Sequence, residues 1–400
     1  MTYDHLLSDR VKAMEESATI RMSQKARELK NQGIAVINLS LGEPDFDTPD
    51  FIKEAAKTAL DKGFTKYSPV PGYEDLRQAI CDKLKHENNL HYTPNQIVVS
   101  NGAKQCIANI CLAMLNEGDE AIILAPYWVS YNDIVKFVGG IPVIVSAGID
   151  QDFKVTAAQI KQAISPKTKL IIFSSPCNPT GSVYSKTELE SIAEVLADYP
   201  EIMVVSDEIY EYIQFEGDHF SFANLPGMYD RTITVNGFSK GYSMTGWRLG
   251  YLAAPVWIAA ACAKIQGQFT SGASSFGQKA AIAALRAGLS KMRFMTTAFK
   301  KRRDLVISGL DQIPGIVTNH PTGAFYVFPD ISSFFGKKYK HHHIKDSNDF
   351  SEFILEEAHV ALVAGEAFGA PECVRISYAA SESEIIEAIK RIADAVRQLV

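Results

Sequence analysis

Six short apolar runs punctuate the middle of the chain, and they limit the possible folds more than any other feature. They are 96–100 (QIVVS), 120–124 (EAIIL), 141–146 (IPVIVS), 169–174 (KLIIFS), 202–206 (IMVVS) and 232–235 (TITV). Helical periodicities separate most of them, as at 103–115 and 187–198. Strands with Ile or Val at nearly every position are buried on both faces. Parallel strands need crossovers of the length that a helix supplies. The pattern predicts an α/β fold, a three-layer α/β/α body around a mostly parallel sheet.

The ends read differently. Segment 381–400 carries Ile385, Ile389, Ile392 and Val396 as a helical stripe, and Ser381 with Glu384 forms a capping-box start. Segments 323–328 (GAFYVF) and 373–378 (CVRISY) read as strands, so the C-terminal third is a smaller α+β body. An N-terminal helix near 23–31 is expected to pack with it. Thr48-Pro49 reads as a capping hydroxyl with a proline in the first turn. The expected division is a large body over 48–290 and a small one made of 1–47 plus 291–400. A chain of 400 residues is long enough for two such bodies.

Forty Lys and Arg against 46 Asp and Glu give a net charge of -6, so no nucleic-acid partner is expected. The longest uncharged apolar stretch, 250–263, contains Pro255 and is shorter than the roughly 20 residues of a helical span, so no membrane partner is expected either. Met1-Thr2-Tyr3-Asp4-His5 lacks the basic start and apolar run of a secretory signal. Cys81, Cys106, Cys111, Cys177, Cys262 and Cys373 form no CxxC pair, which suits free thiols in a reducing cytoplasm. His341-His342-His343 lies among Lys337, Lys338, Lys340 and Lys345 and reads as a solvated loop. Adjacent side chains on an extended loop do not converge on one ion, so no metal is expected.

Five segments carry chemistry. Segment 236–250 (NGFSKGYSMTGWRLG) follows a strand and holds Ser239, Lys240 and Arg248. An amine beside a hydroxyl and a guanidinium suits a Schiff-base lysine next to a dianion clamp; the segment equally reads as a surface loop. Asp207 sits just past a buried strand with Tyr210 three residues on, where α/β sheets bind ligands; a helix-capping aspartate is the alternative. Asn178 lies between two prolines after another strand, as a held amide or as part of a plain turn. Gly102, Ala103 and Lys104 open a helix after a strand, a weak anion-site signal. Trp128 follows a further strand end and offers a flat ring, or a core tryptophan. Together these strand-end loops supply an anion turn, an aromatic plate, an amide, a carboxylate and a lysine. Pyridoxal 5'-phosphate requires that set.

With these residues the chain resembles the class I aminotransferases of pyridoxal-phosphate fold type I. Ser40-Leu41-Gly42-Glu43-Pro44-Asp45-Phe46, the NPTG at 178–181, the SDE-Y at 206–210 and the lysine signature at 237–250 follow the family's order. Tyr127-Trp128-Val129-Ser130-Tyr131 and Gly323-Ala324-Phe325-Tyr326 look like the bacterial aspartate aminotransferases of subgroup Ib. The resemblance implies a transaminase in which Lys240 carries the Schiff base, Asp207 pairs with the pyridine N–H, and Tyr210 and Asn178 contact the ring hydroxyl. Trp128 stacks on the ring. Ser239, Arg248 and the amides of Gly102 and Ala103 hold the phosphate, and Tyr67 reaches that of a second subunit, implying a homodimer with shared sites. Arg375 clamps the substrate α-carboxylate with Asn178 and Gly42. Lys104 and Thr19, in Ser17-Ala18-Thr19, take the distal carboxylate of a dicarboxylic substrate. The implied substrates are aspartate and glutamate with oxaloacetate and 2-oxoglutarate, with prephenate as a secondary one. An aromatic or alanine aminotransferase or a β-eliminating lyase of this fold is the alternative. Cys177 departs from the pattern, standing where relatives often have Asn.

Overall fold

The computed structural model describes residues 4–14 and 18–400. Met1, Thr2 and Tyr3, and Ser17 of Ser17-Ala18-Thr19, lie outside the described residues.

The strands are β1 (Ile37–Asn38), β2 (Ile97–Ser100), β3 (Glu120–Ala125), β4 (Ile141–Ser146), β5 (Thr168–Ser174), β6 (Met203–Asp207), β7 (Thr232–Gly237), β8 (Gly250–Ala253), β9 (Tyr326–Val327), β10 (Lys338–Tyr339), β11 (His342–His343), β12 (Val360–Ala361), β13 (Val363–Ala364) and β14 (Val374–Ser377). Seven of them form one sheet in the order β2-β8-β7-β6-β5-β3-β4. Only β8 in this sheet runs against its neighbours. The alternation of side chains along each strand divides the core. Ile123, Ile172 and Val205 face the helices Ala103–Met114 and Val256–Phe269. Ile122, Ile171 and Val204 face the helices Ala157–Ala163 and Lys186–Ala197. This is the three-layer α/β/α arrangement. One strand departs from the expectation of burial on both faces: β4 is an edge, and its Ile141 and Ile144 are exposed.

Among the described residues three smaller sheets complete the fold, one of them the β10–β11 pair. β14 lies between β13 and β9, and β1 pairs with β12. The N-terminal helix is longer than its apolar pattern indicated, running Ala18–Asn31, with Met22 and Ala26 against Leu355 and Ala361. The expected strand at 323–328 narrows to Tyr326–Val327, because the chain turns at Ala324 (φ +56°), whose N–H donates to the Ile213 carbonyl. The capping box at Ser381 forms, and Ile385, Ile392 and Val396 are buried. Thr48 caps nothing: its hydroxyl donates to the Ser243 carbonyl and accepts from Trp247 Nε1, and Pro49 is itself the cap residue of the helix Asp50–Asp61. The histidine run is a hairpin, β10 paired with β11, in place of the expected loop, and His341 and His342 both meet Glu356. Among the described residues no helix is long and apolar enough to cross a membrane.

Candidate active site

Strands β2, β3, β5, β6 and β7 are mutually parallel, so the chain leaves all five at one edge of the sheet, where such folds bind ligands. A cavity of about 390 Å³ opens at this edge. The structure brings Thr19, Gly42, Ala103, Lys104, Trp128, Asn178, Asp207, Tyr210, Ser239, Lys240, Arg248 and Arg375 to its wall. Tyr67 lies outside it with a side chain 97% exposed.

The lysine loop is shaped by close packing. Gly237 pairs with Gly250 across β7 and β8, and a Cβ on Gly250 would meet the Ala103 nitrogen at 2.3 Å. Arg248 takes a left-handed conformation (φ +55°), uncommon for a side-chain-bearing residue, and its guanidinium returns to the β2 turn. There a Cβ on Gly102 would sit 2.6 Å from it. The Gly102 N–H donates to the Ser100 carbonyl at 2.8 Å, contrary to the expected ligand-facing amide. The first-turn N–H groups of the following helix, at Ala103 and Lys104, have no helical carbonyl to reach.

Lys240 donates from Nζ to the Gly42 carbonyl. Burial lowers its pKa to about 8, assisted by Arg375 and Arg248 and opposed by Glu43 and Asp207. Asp207, the last residue of β6, is buried. Desolvation raises its pKa to about 6, against the hydrogen bonds it accepts from the Tyr131 hydroxyl (2.6 Å) and the Ile209 N–H (3.2 Å). The Tyr210 and Tyr326 hydroxyls lie 2.8 Å apart. Glu208 turns from the cavity to Ser206, Ser221 and His219.

Arg375, on β14, is buried beneath the cavity. It donates to Asn178 Oδ1 (2.9 Å) and to the Ser40 carbonyl (2.6 Å), and its Nε has no partner. Lys104 Nζ sits 5.0 Å from the Trp128 ring centroid, and burial with the Arg248 charge lowers its pKa. None of the described carboxylates lies within 4.0 Å of the charged nitrogens of Lys104, Arg248 or Arg375. The site therefore collects four cationic groups around one buried acid.

Sequence reasoning missed Tyr131, Tyr326 and Ser40 as parts of this site. Tyr131 lies one helical turn beyond Trp128, a spacing that could have marked it. Ser40 opens the motif at 40–46, but nothing local marks it as the partner of Arg375, 335 residues away.

The family model described as aminotransferase class I and II matches residues 34–392, nearly the whole chain. The chain belongs to that family. It is 48% identical over 394 residues to the bifunctional aspartate aminotransferase and glutamate/aspartate-prephenate aminotransferase of Petunia hybrida, covering 97% of this chain and 82% of that protein. Identity to the aspartate/prephenate aminotransferase of Cereibacter sphaeroides is 48% over 391 residues, covering 96% and 97%. The crystal structure of the aspartate aminotransferase of Rhizobium meliloti superposes with a TM-score of 0.95 at 41% identity, covering 98% and 99% of the two chains. That of Thermus thermophilus with maleate gives 0.92 at 40%, covering 97% and 99%.

Aminotransferases of this family depend on pyridoxal 5'-phosphate, and the residues present fit that group. Gly102 and Gly250 let the Arg248 guanidinium and the Ala103 nitrogen come close together at the helix start, and Arg248 and Ala103 both line the cavity, as a phosphate cup requires. A buried acid beside a desolvated lysine suits a cationic ring nitrogen and an amine-reactive aldehyde.

Proposed function

We propose that this aminotransferase moves an amino group between L-aspartate or L-glutamate and 2-oxoglutarate or oxaloacetate, with prephenate as a secondary acceptor. One observation carries the substrate class: Lys104 and Arg375 line one cavity, and neither forms a salt bridge with a described carboxylate, although the Asp133 charge favours the Lys104 cation. Two such cations suit a substrate with two carboxylates. The relatives' names agree, as does the maleate, a dicarboxylate, in the Thermus structure.

When bound, pyridoxal phosphate supplies an electron sink for the bond broken beside the substrate nitrogen. This chain's residues do the rest. Arg248, Ser239 and the Ala103 amide would hold the phosphate, with Lys104 at the same helix start. Trp128 would cover the ring, and Tyr210 and Asn178 would meet its hydroxyl. Asp207 keeps a proton on the ring nitrogen, because a buried carboxylate needs a cationic partner. Arg375 grips the α-carboxylate as a planar fork, with Asn178 and Gly42 at its side. Lys104 and Thr19 reach the distal carboxylate. Lys240, neutral above about pH 8, takes and returns the proton of the α-carbon.

The bodies 48–290 and 1–47 plus 291–400 belong to the same reading. The break at Gly288 (φ +70°), between the helices Ser275–Ala287 and Arg293–Leu310, supports the second boundary. A cytoplasmic location and a homodimer belong to the same reading; each chain would lend Tyr67, whose exposed ring suits a partner's site.

A panel of amino donors with 2-oxoglutarate tests the reading. Aspartate should exceed alanine and the aromatic amino acids in kcat/KM; preference for either would overturn it. Lys104→Ala should raise the KM for aspartate about 10-fold, the loss of one charge-assisted contact, and leave that for alanine little changed. Equal effects on the two would refute distal-carboxylate binding. Tyr131→Phe removes a hydrogen bond that stabilises the Asp207 carboxylate. Its kcat should fall about 10-fold at unchanged aspartate KM. A wild-type kcat would show that this bond does not tune Asp207.

A further inference from the structure

Outside the residues that line the cavity, the β10–β11 hairpin meets a π-helical turn, Ile354–Ala358. His341 Nε2 lies 3.4 Å from Glu356 Oε2, and His342 Nε2 lies 3.5 Å from the same oxygen. Glu357 Oε1 is also 3.5 Å from His342 Nε2. These separations exceed the roughly 2.9–3.0 Å of an N–H···O hydrogen bond. They match the spacing of about 3.3–3.5 Å between neighbouring ligands of a tetrahedral ion whose bonds are about 2.0–2.1 Å.

A second observation points the same way. The His342 side chain is only 9% exposed, yet its Nε2 has no hydrogen-bond partner. A buried polar atom left so is costly unless something fills its place. The ring is held in position, its centroid 4.0 Å from that of His341 at a tilt of 34° and edge-on to Phe353 at 5.3 Å. The adjacent cation does not block the cluster. Lys340 Nζ binds Glu357 Oε2 at 2.7 Å, which leaves Oε1 turned to His342. Both His341 and Glu356 are more than half exposed, so an ion can enter from solvent.

We propose that His341, His342 and Glu356, with Glu357 as a further oxygen donor, bind a divalent transition-metal ion of the zinc class. Two imidazoles with carboxylate favour zinc and its neighbours over calcium and magnesium, which take all-oxygen shells. The ion would tie the hairpin to the turn that leads into β12, β13 and the Arg375 strand. It is a structural clamp, separate from the cofactor cavity.

The test is zinc titration of the chelator-treated holoenzyme by calorimetry, alongside its melting temperature. One zinc per chain should bind and raise Tm, since a ligand held only by the folded state stabilises it. His341→Ala and Glu356→Gln alter exposed side chains that support no core. Each should weaken zinc binding about 10-fold or more while leaving transamination in the absence of zinc unchanged. The proposal is overturned if the wild type takes up no zinc saturably, or if either variant binds it with wild-type affinity.

Discussion

Lys240→Ala should lower kcat by roughly 10⁴-fold or more, because one side chain supplies both the attacking amine and the proton carrier. The fold should survive. Lys240 is a desolvated amine whose hydrogen bond goes to the Gly42 carbonyl, so its loss opens no large cavity in the core. Ser239 and Arg248 remain, so the variant should retain phosphate-bearing cofactor through dialysis. In the cofactor-free wild type the same amine should be acylated by an amine-selective reagent with a midpoint near pH 8, below which it is ammonium. A midpoint at the ordinary lysine value, or a variant with appreciable turnover, would remove Lys240 from this role.

Asp207→Asn should separate stability from activity. The folded-state pKa of Asp207 is raised from 3.8 to about 6. Between those values the folded chain binds more protons than the unfolded one, so stability falls as pH rises through the window. Above pH 6 the wild type carries the full penalty of a buried charge, about 1–3 kcal/mol. Asparagine keeps one acceptor oxygen, for the Ile209 N–H, and turns its amide N–H to the Tyr131 hydroxyl, which can accept it; it carries no charge. The cofactor-free variant should therefore melt higher than wild type at pH 7, with the gap closing toward pH 4. Its kcat should fall about 10²–10³-fold, because nothing then holds the ring-nitrogen proton. A variant less stable than wild type at pH 7 would show that Asp207 is held by its hydrogen bonds without a net burial cost.

Asp207 and Lys240 were readable because each follows a strand whose apolar run is unmistakable, and a polar residue there faces a ligand edge in parallel sheets. Thr48 was misread: a hydroxyl before proline satisfies the local rule for a helix start, but Trp247 and Ser243 compete for it across the fold. The histidine run forms a hairpin where a loop was expected, with His341 and His343 solvated as expected and His342 packed inward. Spacing along a loop says nothing about a carboxylate on a distant helix, and Glu356 brings the two rings together.

The sequence by itself determined six of the seven strands of the large sheet and the loops that bear polar groups, since periodicity and turn chemistry are local properties of the chain. Only the tertiary structure decided that β8 inserts antiparallel between β2 and β7, which sets Arg248 against Gly102. It also decided that Arg375 meets Ser40 and Asn178, and that burial moves Lys240 and Asp207 toward neutral pH. The physical reason is that strand pairing and desolvation depend on which distant segments pack together, and no local window of residues contains that information.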